Sequence, residues 1–185
     1  NYKVHDSDQE VSNIYKKNPT KLKNFLREIG LKKAIREKKI NKKIIAEEIF
    51  KNKNIKIKLE KHLHLEVRKK RNLFIKKNKQ KKEKLIFLDI PLLFENNLDY
   101  LCDKIICVIS TKKNRLNRFK KKKKIPQKTF KNIVKNQTTD KERRHRSDYL
   151  ITNNDSKKNF IKRARGIVED LLSWGKWLLI QKLPG

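Results

Sequence analysis

The sequence predicts an α/β fold, a parallel sheet flanked by helices, and three observations carry that prediction. Leu85–Ile90, Lys104–Ser110 and Tyr149–Ile151 are short, mainly apolar runs, the pattern of strands buried on both faces. Roughly 36 residues of basic helical text, Lys112 to Ser147, separate the second run from the third, and strands alternating with helices point to a mostly parallel sheet. Leu, Ile, Val and Phe supply roughly 30% of the chain, above the ~20% that marks disorder. A core can therefore form, and 185 residues suit one domain, 1–185.

Tyr2 to His5 is short and extended in character. Asp8 then reads as a helix N-cap ahead of Val11, Ile14 and Tyr15 at helical spacing. Residues 19–80 are mostly helical text, with apolar rows at Leu22, Phe25, Leu26 and Ile29, then Ile44, Ile45 and Ile49, then Leu59, Leu63, Val67 and Phe74. Gly30 and the Asn52–Asn54 stretch are the expected breaks. The strand from Leu85 is stopped by Pro91. After the third strand comes an amphipathic helix with Phe160, Ile167, Leu171 and Leu172. The tail, 174–185, matches no pattern and is left unassigned, as is the oligomeric state.

The charge is extreme: 52 Lys and Arg against 20 Asp and Glu give a formal +32 and a pI near 10.3. Such a balance invites a nucleic-acid reading, since clustered cations release counterions from phosphate backbones. Yet Lys outnumbers Arg 41 to 11 and is spread over nearly every segment. Readers of phosphate and base favour the Arg fork, whereas Lys, Asn and Ile share AT-rich codons. The charge is therefore read as codon bias with nonspecific polyanion sticking; a basic nucleic-acid-binding protein on a helical scaffold is the alternative. No apolar run approaches the ~18 residues of a membrane span. Asn1 to Glu10 does not read as a signal peptide. Cys102 and Cys107 form no disulfide or Cys-x-x-Cys pattern, so a reducing cytoplasm is expected.

In parallel sheets ligands bind at the carboxyl ends of the strands, which singles out Asp8, Asp89 and Glu95. The segment Leu88-Asp89-Ile90-Pro91-Leu92-Leu93-Phe94-Glu95-Asn96 closely resembles the D-I/V-P-L-L-F/L-E signature of the dephospho-coenzyme A kinase family. Other matches follow in order. Val4 to Asp8 is similar to the family's V-I-D-A-D, and His64 with Val67 and Arg68 to its H-P-x-I-R. Arg118 resembles the first arginine of its R-L-x-x-R, Gln137 and Arg143 fit its Q-x-x-x-x-E-R, and Ser147 to Asn153 is similar to A-D-Y-V-I-D-N.

The resemblance implies a phosphate-loop kinase fold, with 19–80 on the acceptor side and 112–147 a basic lid. It implies transfer of the ATP γ-phosphoryl group to the 3′-hydroxyl of dephospho-coenzyme A, with ATP and Mg²⁺ required. By carry-over, Asp8 accepts or orients the proton of the attacking hydroxyl, a role compatible with capping. Arg118, Lys122 and Arg143 compensate phosphoryl charge, while Arg144 and Arg146 read as a solvated face. His64, Pro91, Leu92, Leu93 and Glu95 are acceptor-pocket candidates, with a packed structural histidine the other reading of His64. Asp89 falls where Mg²⁺ is held through water, and Asn153 on the adenine side.

The chain departs from the family in places. Leu65 replaces the Pro of H-P, so the turn there is expected to be less fixed. Lys122 keeps the charge of the second lid arginine but loses its fork. The glycine-rich phosphate loop matches nothing here, and the chain, with no Met, looks like the family without an opening unit of ~25 residues. Two expectations follow: little or no kinase activity, and a vacancy in the sheet that strips Ile86, Leu88 and Ile106 of a buried neighbour and leaves the fold marginal.

Overall fold

The computed structural model describes residues 2–17, 19–36, 39–123, 134–135, 137–175 and 178–183. The chain divides into two compact units, one of residues 1–5 and 78–185 and one of residues 6–77.

The smaller unit is helical. Helix α1 (Ser7–Lys17) is capped by Asp6, whose Oδ1 accepts the Gln9 N–H at 2.9 Å. That corrects the expected cap at Asp8, which sits inside the first turn: the backbone turns helical two residues sooner. Helix α2 (Pro19–Glu28) ends at Gly30, whose φ of 87° is open to glycine at no steric cost. There Gly30 donates its N–H to the Arg27 carbonyl and Leu31 to that of Leu26, closing the helix end. A two-stranded antiparallel ribbon follows, β2 (Ile35–Arg36) with β3 (Lys39–Ile40), within a stretch that the sequence reads as mostly helical. Asn41 caps α3 (Lys42–Lys51), and the break near Asn52 narrows to that one residue, whose side chain caps α4 (Lys53–Gln80) through the N–H groups of Asn54 and Ile55. With no Pro to break it, α4 runs unbroken through Leu65. Ile14, Leu22, Leu26, Leu31, Ile45 and Leu59 form the buried centre of this unit.

The larger unit is built on a five-stranded sheet of β1 (Lys3–Asp6), β4 (Leu85–Asp89), β5 (Lys104–Ile109), β6 (Tyr149–Thr152) and β7 (Leu178–Leu183), in the order β1-β4-β7-β5-β6. The three pairings from β4 to β6 are parallel, as the sequence predicts. The basic segment contributes α5 (Lys112–Lys123) and α6 (Asp140–His145); residues 124–133 lie outside the described ones. Helix α7 (Lys157–Ser173) packs Phe160, Ala164, Ile167 and Val168 over a core of Leu85, Ile106, Val108, Ile151, Leu171 and Ile180. No described helix is long and apolar enough to cross a membrane.

The tail overturns an expectation. Far from unassigned, it supplies β7, which stands in the middle of the sheet with Leu85 to Leu88 beside Leu178 to Gln181 and Lys104 beside Ile180. The predicted vacancy is filled: Ile86, Leu88 and Ile106 are 0%, 0% and 4% exposed. The apolar triplet Leu178-Leu179-Ile180 makes this possible, all three side chains being buried. Asp103 fixes the register, accepting the Leu179 N–H at 2.7 Å.

Candidate functional site

A parallel sheet sends the carboxyl ends of its strands to one edge, and three groups of candidate residues meet that edge. The first begins where β4 ends at Asp89. Leu93 and Phe94 are fully buried and anchor the following turn in the core, which turns Leu92 and Glu95 outward. Leu92 pays for this with a φ of 55° while 44% exposed. Its carbonyl accepts both the backbone N–H and the side-chain amide of Asn96, at 3.1 and 2.8 Å. Pro91 is half-buried beside it. Leu93 therefore supports the turn from beneath.

Glu95 reaches across to the segment before α6, where its Oε1 accepts the Thr138 N–H at 2.7 Å. Burial opposes its charge, but the bonds from Thr138 and its own backbone, with Arg143 nearby, outweigh burial and hold the carboxyl below the usual range.

The second group joins β5 and β6. Arg118, on α5, donates through Nη2 to the Asn153 carbonyl at 2.7 Å and to Asn153 Oδ1 at 3.1 Å. Its Nη1 lies 3.4 Å from Ser110 Oγ. Two residues predicted for separate roles, lid cation and adenine side, are thus direct partners. Asn154 Oδ1 accepts the Thr111 N–H at 2.8 Å and secures the start of α5.

The third group was only half read from sequence. Arg143 donates through Nη2 to Asp140 Oδ1 at 2.8 Å, and Arg115 grips both oxygens of the same carboxylate at 3.0 and 2.5 Å. Burial opposes ionisation of Asp140, but the two guanidiniums prevail and its carboxyl titrates below the usual range. Arg115 was missed, although Arg115-Leu116 carries the R-L of the lid pattern. Arg146 is no free surface cation: it pairs with Asp99 at 2.8 Å and lies 4.3 Å over the Phe94 ring. Arg144 is exposed, as expected. Lys122 is in the last turn of α5, its side chain outside the described residues.

Asp8 and His64 belong to the helical unit. Asp8 is exposed and makes no hydrogen bond or ion pair among the described residues. His64 is also exposed, with Arg68 one turn further along α4 on the same face. The packed histidine is its neighbour His62, stacked on Phe25 at 3.9 Å and 11°. Burial, with Lys21 and Lys69 nearby, lowers the pKa of His62 despite the opposing pull of Glu66 and Glu28.

Among the described residues no cluster of three His, Cys, Asp or Glu side chains could hold a metal ion. A single strand-end carboxylate such as Asp89 is a donor that suits Mg²⁺, which keeps several waters and takes its other ligands from phosphate oxygens.

The chain is similar to known proteins over most of its length. The family model described as dephospho-CoA kinase matches residues 1–159. A dephospho-CoA kinase of Fusobacterium nucleatum is 32% identical over 92% of this chain and 86% of its own length. One from Listeria monocytogenes is 27% identical over 82% of this chain and 76% of its own. The solved structure of a dephospho-CoA kinase from Campylobacter jejuni superposes with a TM-score of 0.68 at 24% identity, covering 92% of this chain and 85% of that one.

Proposed function

Because the chain belongs to the dephospho-CoA kinase family, we propose that it moves the γ-phosphoryl group of ATP to the ribose 3′-hydroxyl of dephospho-coenzyme A, in the cytoplasm. The observation that carries the reading is the edge of the sheet, which gathers Asp89, the Pro91–Glu95 turn, the Arg118–Asn153 pair and, through Glu95 and Thr138, Arg143. Phosphoryl transfer asks mainly for positioning and charge compensation, and these are the groups to provide both.

Asp8 takes or orients the proton of the attacking hydroxyl. Asp6 has assumed the capping role, which leaves the Asp8 carboxylate free to accept a hydrogen bond. On the larger unit the exposed faces of Pro91, Leu92 and Glu95, with Leu93 beneath them, are offered to the acceptor; on the helical unit His64, with Arg68, is its candidate contact. Arg118 fixes Asn153 on the adenine side. Arg143 and Lys122 offset charge on the transferring group, and the lid segment excludes water. Asp89 would hold Mg²⁺ through water, the ion supplying further neutralisation of the phosphate oxygens.

The four glycines, at 30, 166, 175 and 185, form no glycine-rich phosphate loop, and we expect these 185 residues to turn over slowly at best. The test is ADP release with dephospho-coenzyme A, ATP and Mg²⁺. It compares this chain with versions carrying a strand–loop–helix unit ahead of Asn1, with and without residues 174–185, since β7 holds the middle of the sheet. Turnover restored by that unit supports the reading. No turnover in any version, with salt-steep binding to nucleic acid instead, would overturn it.

A further inference from the structure

The basic insertion is rooted by a carboxylate that phosphoryl transfer itself does not require. Asp140, in the first turn of α6, receives both Nη groups of Arg115 from α5 and one of Arg143 from its own helix. Its Oδ1 is shared by the two guanidiniums, at 3.0 and 2.8 Å. Both arginines are mostly sheltered, their side chains 13% and 14% exposed. Each also has a buried Nε without a hydrogen-bond partner among the described residues. Among the described residues, the side-chain hydrogen bonds of both cations converge on this one carboxylate.

Two guanidiniums this close repel each other, and the repulsion grows as water is excluded. The carboxylate between them lets them stay adjacent while the trio keeps a net positive charge. The bidentate grip also fixes the plane of Arg115, which a point charge on a flexible stem would not allow. A cation already oriented loses less rotamer freedom when an anion arrives.

We propose that Asp140 is a positioning residue, holding Arg115 and Arg143 side by side at the root of the insertion for the polyphosphate of the nucleotide. The proposal rests on the kinase reading above. Asp140 itself touches neither substrate nor reacting atoms; it acts through the arginines.

Charge and position predict opposite results for its removal. If Asp140 mattered only as a negative charge, Asp140→Asn would raise the local positive potential and tighten ATP binding. If it positions the arginines, the same change weakens ATP binding although the chain has become more basic. The measurement is calorimetric titration of the full chain with ATP and, separately, with adenosine, for wild type, Asp140→Asn and Asp140→Glu, with circular dichroism to confirm folding.

The expected result is a loss of about tenfold in ATP affinity for Asp140→Asn, the scale of one charge-assisted hydrogen bond. Adenosine affinity should stay within about twofold, and Asp140→Glu should recover part of the loss. ATP bound by Asp140→Asn as tightly as by wild type, or more tightly, overturns the proposal. If Asp140→Asn does not fold, Arg115→Lys carries the test, because it keeps the charge and loses the fork; unchanged ATP affinity there overturns the proposal equally. A wild-type chain that binds ATP no better than adenosine overturns this proposal before any variant is made, whereas the kinase reading stands or falls separately on the turnover comparison above.

Discussion

Asp103 and Leu179 exchange two hydrogen bonds: Asp103 donates its backbone N–H to the Leu179 carbonyl at 2.9 Å, and its carboxylate accepts the Leu179 N–H at 2.7 Å. Asp148 repeats the device one strand over, bonding the carbonyl and the N–H of Ile105 at 3.0 and 2.8 Å. Each aspartate just precedes a strand and clasps its neighbour, so the pair sets register across three strands. Asp103→Ala leaves the Leu179 N–H without that acceptor in a partly buried place, a loss of about 1–3 kcal/mol. A lower urea midpoint at an unchanged m-value is the expected reading; an unshifted midpoint would mean the clasp is idle.

The fully buried Ile180 tests whether β7 belongs to the core. Ile180→Ala removes packing between β4, β5 and α7 and should cost about 2–5 kcal/mol. Thermal or urea unfolding of the variant measures it. A cost typical of an exposed site, within about 0.5 kcal/mol, would contradict a central β7.

Leu92 separates stability from binding. Its positive φ is strained for a branched side chain, and glycine adopts it freely. Leu92→Gly should leave the fold as stable as wild type or firmer by up to about 1 kcal/mol. Dephospho-coenzyme A affinity should fall because an exposed apolar face is lost. Calorimetry beside thermal unfolding reads both, and unchanged affinity would remove Leu92 from the acceptor pocket.

Tyr149 gives an alkaline signature. Its hydroxyl donates to Asp170 at 2.6 Å, and that bond, then burial, then the negative charges of Asp170 and Asp148 push its pKa up to about 12. The folded state thus favours the protonated phenol. Its stabilisation is complete below pH ~10, the unfolded value, and fades as pH climbs toward the folded value. Wild type should lose stability over that window relative to Tyr149→Phe; burial raises Tyr15 as well, so phenolate absorbance should show late-titrating tyrosines of which Tyr149→Phe removes one.

Strands β4, β5 and β6 were legible because a strand buried on both faces leaves a continuous apolar run, as Leu85 to Leu88 does. Strand β7 was not. Its apolar part is three residues long, and what makes it a strand lies elsewhere in the chain, in Asp103, 76 positions earlier, and in the open edges of β4 and β5. The same limit explains the caps. Asp6 and Asp8 are equally good candidates by residue type, and the residue at which the backbone turns helical decides between them. At the site, the Asp89–Glu95 block announced itself through its order of residues. That Arg118 would bond Asn153, and Arg115 would bond Asp140, depended on how α5 lies over the strand ends, which spacing does not encode.

Strand β7 also sets the order of events at the ribosome. Among the seven described strands it is synthesised last, yet it stands between two made long before it. Until it emerges, the nascent chain holds β4 and β5 with their facing edges unpaired, the condition in which strands recruit foreign partners. Contacts this distant in sequence are also slow to form. Lys81, Lys82 and Lys84 stand just ahead of β4, and Lys112 and Lys113 just behind β5. Charges flanking an apolar strand act as gatekeepers against aggregation, so part of the lysine excess protects the chain while it waits for its own middle strand.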